Sequence, residues 1–256
     1  MQMLNTALVT GAADSVGRAT ALALLARGCR VYICDANAAR LAETLRETPQ
    51  LAGHAADVSD PLAVEALHER AIVHLGANID ILVNTVGVGG PRGITESLDL
   101  DDWRRTFAVN VDSMLMTMKR VVPHMKRARR GLIVNFSSSS TQTQLPSRSA
   151  YIASKAAVEA LTMNAARELG PFGVRCNAIL PGPINNARMA AVLADAARDA
   201  GESVEAYKSR FLSFVSTRSM VEPEEIAETI GFLATDSAKS ITGQLIRVDG
   251  NLEWEG

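Results

Sequence analysis

Apolar, β-branched runs alternate with amphipathic stretches along the whole chain, and this rhythm restricts the fold more than any other feature. The runs are TALVT (6–10), RVYICD (30–35), HAADV (54–58), IDILVN (79–84), GLIVNFS (131–137), VRCNAIL (174–180) and QLIRVD (244–249). Between them, segments 16–27, 36–47, 61–76, 99–127, 150–169 and 223–235 carry Leu, Ala and Val at helical spacing with charges on the opposite face. Strands that follow one another through helices lie parallel, because a parallel neighbour is reached only by a crossover, and such crossovers are right-handed. The expected fold is therefore α/β: a doubly wound parallel sheet of seven strands with helices on both faces. No Pro/Gly/Ser-rich linker, composition break or fixed-period repeat divides the 256 residues, so a single domain over 1–256 is expected. The rhythm breaks once, at 185–221, where a mostly helical insert separates the sixth strand from the next core helix. This insert reads as a lid over a substrate.

Composition narrows what such a sheet does. Apolar types make up 47% and charged types 21%, as in an ordinary globular chain with a large core. Lys and Arg total 26 against 28 Asp and Glu, so no global field draws the chain to nucleic acid or to an anionic membrane, and small-molecule chemistry is expected instead. The basic run Lys126-Arg127-Ala128-Arg129-Arg130 complements a helix C-terminal dipole without any partner. Cys29, Cys34 and Cys176 form no disulfide framework or Cys-x-x-Cys site, and His54, His68, His74 and His124 lack the i, i+4 spacing of zinc-enzyme helices, so no metal is expected. The segment MQMLNTALVTGA has no basic n-region and no uncharged apolar run nears ~20 residues, which points to the cytoplasm. Asn135-Phe136-Ser137 matches a glycosylation acceptor but falls in a strand expected to be buried, and is taken as chance.

Three local patterns carry chemistry. The first strand runs into Thr10-Gly11-Ala12-Ala13-Asp14-Ser15-Val16-Gly17 and then a helix. Glycines there let the backbone approach a pyrophosphate at the positive helix end, although any tight βα turn also favours glycine. The second strand ends at Asp35, whose carboxylate suits the hydroxyls of an adenosine ribose and repels a 2′-phosphate, so NAD is favoured over NADP despite nearby Arg18 and Arg40. Tyr151 and Lys155 are four apart on a helix and share a face; an ammonium near a phenol favours phenolate and suits it to exchange a carbinol proton, though such a pair also occurs on plain helix surface. The fifth strand ends in Ser137-Ser138-Ser139-Ser140, hydroxyls at the sheet edge where ligands of open α/β sheets bind.

Together these residues resemble the short-chain dehydrogenase/reductase superfamily, a Rossmann-like family, from about Asn5 to Asn251. The family's T-G-x-x-x-G-x-G motif falls on Thr10, Gly11, Ser15 and Gly17, and its Asp-Val pair on Asp57 and Val58. Its N-N-A-G segment falls on Asn84-Thr85-Val86-Gly87, its helix-five asparagine on Asn110, its serine on Ser138 and its P-G motif on Pro181-Gly182-Pro183-Ile184. The resemblance implies that Thr10, Gly11, Asp14, Ser15, Val16, Gly17, Asp35, Asp57, Val58, Asn84, Val86, Gly87, Tyr151, Lys155, Pro181, Gly182, Ile184 and Asn186 bind the dinucleotide. It implies a catalytic tetrad in which Ser138 orients the substrate oxygen, Tyr151 exchanges the proton, Lys155 holds the nicotinamide ribose and lowers the tyrosine pKa, and Asn110 anchors a relay water. It also implies a homotetramer, or a dimer, packed through the apolar stripes of 99–127 and 150–169.

Three departures stand out: Ser15 replaces the motif's central glycine, Thr85 and Val86 replace Asn-Ala, and Asn186 stands where a threonine usually meets the carboxamide. Around the expected nicotinamide position, Arg92, Gln144, Arg148 and Arg188 suggest a small polar or anionic hydroxylated substrate, the alternative being solvated arginines. The expected activity is NAD-dependent interconversion of a secondary alcohol and its ketone. The rivals are an NADPH-dependent 3-oxoacyl-type or other carbonyl reductase, and a dinucleotide-sensing protein without catalysis.

Overall fold

Strands and helices alternate as the periodicity requires. In chain order they are β1 (Thr6–Thr10), α1 (Ser15–Ala26), β2 (Arg30–Asp35), α2 (Ala38–Glu47), β3 (Ala52–Ala55), α3 (Pro61–Leu75), β4 (Ile81–Asn84) and α4 (Leu100–Phe107). A π-helical turn (Ala108–Asp112) leads into α5 (Ser113–Ala128), followed by β5 (Gly131–Phe136), α6 (Ser140–Thr143), α7 (Ser149–Leu169), β6 (Val174–Pro181), α8 (Ala187–Ala200), α9 (Val204–Leu212), α10 (Pro223–Leu233) and β7 (Leu245–Val248). This computed structural model describes residues 4–76 and 78–253; the first three residues of the amino-terminal stretch lie outside the description.

The seven strands form one all-parallel sheet in the order β3-β2-β1-β4-β5-β6-β7. Winding reverses between β1 and β4, and the carboxyl ends of these neighbours border the crevice in which open sheets of this kind hold ligands. Every residue of β1, β4 and β5 is buried, as expected of central parallel strands covered on both sides. Alternate side chains feed opposite faces. Ala7, Val9, Ile81, Val83, Leu132 and Val134 pack with α1 and α10, whereas Leu8, Leu82 and Ile133 pack with α3, α5 and the end of α7.

Two elements differ from the sequence expectation. The third strand covers 52–55, not 54–58, because its register with β2 runs from Tyr32–Ala52 to Asp35–Ala55 and stops where β2 ends. The helix expected over 99–127 is divided by the π turn, at whose centre Asn110 is fully buried. The insert leaves the sheet edge at Ile184 and returns at Val221. These two residues form a bridge, the Val221 N–H donates to the Pro183 carbonyl (2.8 Å) and the Asn185 N–H to the Val221 carbonyl (2.8 Å). Both ends of the insert therefore start from one pinched base. Among the described residues no helix is long and apolar enough to cross a membrane, and no group of three or more His, Cys, Asp or Glu is placed to hold a metal.

Candidate active site

The turn after β1 takes a path open only to glycine at two points. Gly11 has φ +63°, and a Cβ there would lie 2.7 Å from Thr85 Oγ1; a Cβ on Gly17 would lie 2.1 Å from the Gly11 carbonyl oxygen. Thr85 donates to the Thr10 carbonyl at 2.6 Å, and Val86 packs against Gly11. The Thr85-Val86 departure from the family pattern thus ties the loop after β4 to the glycine turn. Asp14 precedes α1, the buried Val16 lies in its first turn, and that turn carries no acidic residue, which leaves the positive helix end open to an anion.

The other two departures meet. Ser15 sits at φ +46°, a left-handed conformation unfavourable for a non-glycine residue, and its hydroxyl accepts a hydrogen bond from Asn186 Nδ2 at 2.9 Å. Asn186 Oδ1 in turn accepts the Met189 N–H at 2.8 Å and caps α8. A single side-chain contact therefore joins the glycine turn to the first residues of the insert.

Asp35 is fixed at the tip of β2 by the Ala13 N–H (3.1 Å) and the Asn37 N–H (2.8 Å). Arg18 is paired with Glu47 at 2.9 Å, and Arg40 with Glu43 at 3.5 Å and Asp14 at 3.8 Å. Past β3, Asp57 Oδ1 accepts from the Ser59 N–H and hydroxyl (2.9 and 2.7 Å), beside the buried Val58. Asn84 is committed to the interior: it donates to Asn135 Oδ1 (3.0 Å) and accepts from Thr117 (2.9 Å), so its side chain braces β4 against β5 and α5.

Asn110 Oδ1 accepts the Val88 N–H at 2.7 Å, while Nδ2 donates to the Val88 carbonyl (3.0 Å) and to Ser154 Oγ (2.9 Å). These three bonds pin the loop after β4 to α7. Lys155, on α7, is buried and donates to the Phe136 carbonyl at the end of β5 (2.7 Å). A Cβ on Gly87 would lie 3.0 Å from Lys155 Nζ and 3.3 Å from Asn110 Oδ1, so all three residues border one small space. Burial, reinforced by the positive charge of Arg188, pushes the Lys155 ammonium down to about 7. Lys155 Nζ lies 5.9 Å from the centre of the Tyr151 ring.

Ser138 is buried, with its hydroxyl 3.1 Å from Ser140 Oγ and 3.2 Å from the Ser140 N. Its loop is strung on a residue that motif reasoning missed. Glu159 Oε1 accepts from Ser137 Oγ (2.7 Å) and Thr141 Oγ1 (2.6 Å), the neighbours that flank Ser138, and Ser137 Oγ also lies 3.1 Å from the Lys155 carbonyl. The available signal was an acidic residue one turn past Lys155 on the same helix face. At the end of β6, the Pro181 carbonyl accepts from the Ser139 N–H and hydroxyl (3.1 and 2.9 Å), and Gly182 lets β7 approach, since a Cβ there would lie 2.6 Å from Asp249 Cα.

Of the proposed substrate residues, Arg148 immediately precedes α7 and lies over the Tyr151 ring, its Cζ 5.3 Å from the centroid. Arg188 donates to the Gly87 carbonyl at 2.9 Å. Arg92 is exposed and adds its charge to Arg148, whereas Gln144 folds back on its own loop, donating to the Thr141 carbonyl at 3.2 Å.

A family model described as enoyl-(acyl carrier protein) reductase matches residues 11–252. Cis-4-hydroxycyclohexanecarboxylate dehydrogenase of Sinomonas cyclohexanicum is 35% identical, with 96% of this chain and 95% of the relative covered. 2,3-Dihydro-2,3-dihydroxybenzoate dehydrogenase of Escherichia coli K12 is also 35% identical, with 94% of each covered. Among solved structures, a single-residue variant of actinorhodin polyketide ketoreductase with NADPH superposes with a TM-score of 0.92 at 29% identity, covering 97% of each chain.

Proposed function

The chain belongs to the short-chain dehydrogenase/reductase superfamily, and from that membership we propose that it is an NAD(H)-dependent oxidoreductase interconverting a secondary alcohol and its ketone on a small hydroxylated substrate. The observation that carries this reading is the convergence of Lys155, Asn110 and Gly87 on one small space, with Tyr151 on the same helix as Lys155. The residues fit a dinucleotide. Gly11 and Gly17 leave a cradle that a Cβ would fill, the open end of α1 suits a pyrophosphate, and Asp35 suits ribose hydroxyls. When bound, the nicotinamide accepts or returns the hydride. Tyr151 takes the carbinol proton in oxidation and gives it back in reduction; Ser138 holds the reacting oxygen beside it; Lys155 would hold the ribose through its ammonium. Asn110 acts through the backbone it pins.

NAD is preferred here because Asp35 repels a 2′-phosphate, and the two arginines able to offset that repulsion are already paired with Glu47, Glu43 and Asp14. Relatives named for hydroxylated carboxylates support a hydroxy acid substrate. Exposed Leu115 on α5 and Met163 on α7 support packing of these helices in a homotetramer or dimer. A second reading, an NADPH-dependent 3-oxoacyl-type or other carbonyl reductase, is favoured by the likeness to a ketoreductase crystallised with NADPH.

NADH absorbance on a panel of polyols, hydroxy acids and cyclic alcohols, run with NAD and NADP, tests both. Tyr151→Phe is expected to lower kcat about 10²-fold or more while NADH still binds; full activity in that variant ends the proposed role. Asp35→Ser is expected to shift preference toward NADP, and an NADP preference already present in the wild type selects the second reading.

A further inference from the structure

Ten of the described arginines pair with a carboxylate, and three of the others are grouped near Tyr151. Among the described residues, Arg92, Arg148 and Arg188 have no acidic side chain within ion-pairing distance. They also feel one another: burial and the charges of Arg92 and Arg188 push the Arg148 guanidinium below its ordinary range, with the Tyr151 hydroxyl acting the other way. Like charges gathered without a counter-charge repel one another, and an anion arriving from outside relieves that repulsion.

Gly89 shows where that anion would sit. A Cβ there would lie 3.1 Å from Arg148 Nη2 and 3.5 Å from Arg188 Nη2, so the two guanidinium tips converge on space that glycine leaves empty. Gly89 does not adopt a positive φ, so a left-handed backbone does not account for the glycine. The same tips border the reacting groups: Arg148 lies over the Tyr151 ring, and Arg188 is anchored to the Gly87 carbonyl beside Lys155.

Resting on the oxidoreductase reading above, we propose that Arg148 and Arg188 form a two-armed cradle over Gly89 that holds the carboxylate of a hydroxy or keto acid, placing its carbinol carbon next to Tyr151. A carboxylate accepts from two guanidinium groups at once, and a neutral alcohol of the same shape cannot. The exposed Arg92 supplies attraction from the rim.

Calorimetric titration of the NADH-loaded protein with benzoate and with its neutral counterpart benzamide tests the cradle without knowledge of the natural substrate. Wild type is expected to bind benzoate at least ten-fold more tightly than benzamide. Arg148→Gln and Arg188→Gln are each expected to reduce that preference, and together to erase it. Gly89→Ala removes no charge but fills the space between the tips, and is expected to weaken benzoate ten-fold or more with benzamide unmoved. Equal binding of the two probes by wild type, or a preference that survives the double arginine variant, overturns the cradle. So does a double variant that loses NADH affinity while benzoate binding persists, because the arginines would then serve dinucleotide phosphates. The underlying reading is judged apart from this, by NADH affinity and turnover of neutral cyclic alcohols. Failure of both overturns that reading even where benzoate binds, whereas success of both with no charge preference overturns the cradle alone.

Discussion

Ser15 and Asn186, far apart in sequence, are each other's hydrogen-bond partner, and that changes what either substitution means. A non-glycine residue in the left-handed region costs about 1–2 kcal/mol, and Ser15 stands there at φ +46°. The bond from Asn186 returns about 0.5–1.5 kcal/mol. Ser15→Gly is therefore expected to be nearly neutral, relief of strain offsetting an Asn186 amide left without its acceptor. A double-mutant cycle with Asn186→Thr should show a coupling of about 0.5–1.5 kcal/mol in denaturant unfolding; simple additivity would show that the contact carries no energy. Glu159 is a second case. Glu159→Ala removes the acceptor that the Ser137 and Thr141 hydroxyls share and leaves each to a backbone carbonyl, of Lys155 and Ser138, at a cost of about 0.5–1.5 kcal/mol. Because those residues flank Ser138, kcat is expected to fall about ten-fold with NADH affinity unchanged, and Glu159→Gln to recover most of the loss. Equal damage from both variants would remove the positioning role. Sequence reasoning picked out Ser15 and Asn186 as departures from a motif. It had no means of pairing them, since contacts between loops follow neither the period of a strand nor that of a helix.

The elements themselves were legible because each has a period. Strands buried on both faces read as continuous apolar runs, helices as stripes, and together they imply the observed sheet. The boundaries escaped where a neighbour decides them: β3 ends with its pairing to β2, and apolar Val58 beyond it is buried in a loop instead of a strand. The π turn escaped for another reason. One extra residue is absorbed within a single turn of a segment that otherwise reads as helix, and it places Asn110 against the loop after β4, as such bulges often do at functional sites. Asn110→Ala takes away the partners of the Val88 N–H and carbonyl and of Ser154. It is expected to cost about 2–4 kcal/mol and to lower kcat more than ten-fold. Thermal unfolding and steady-state rates measured on the same preparation decide it. Lost activity with an unchanged melting temperature would mean that the side chain serves the chemistry directly and does not hold the loop.

Two bases, the buried Lys155 and the half-buried His68, make the stability of the protein depend on pH in one direction over most of the accessible range. Burial holds Lys155 down to about 7 from its ordinary 10.5. Between those values the unfolded chain carries a proton that the folded chain lacks, so stability rises with pH from about 7 to 10.5, and below about 7 the full penalty is in force. His68, packed between α3 and α5 against His124 with ring centres 5.0 Å apart, is pushed from 6.5 to about 4, first by burial and then by the charges of His124 and Arg120. The same reasoning makes stability rise with pH from about 4 to 6.5, the penalty being complete below about 4. The two limbs belong to different requirements, since the proposed mechanism uses Lys155 and does not use His68. Lys155→Met is expected to raise the melting temperature near pH 7 by about 2–4 °C or more while abolishing turnover, the pattern of a functional residue kept against stability. Its advantage should shrink as pH approaches 10. His68→Leu should flatten the acid limb and leave activity in place. Melting curves of wild type and both variants from pH 4 to 10 separate these effects, because each difference curve isolates one group; a Lys155→Met advantage independent of pH would mean that the ammonium titrates in the fold as it does in the unfolded chain, and that burial does not penalise its charge.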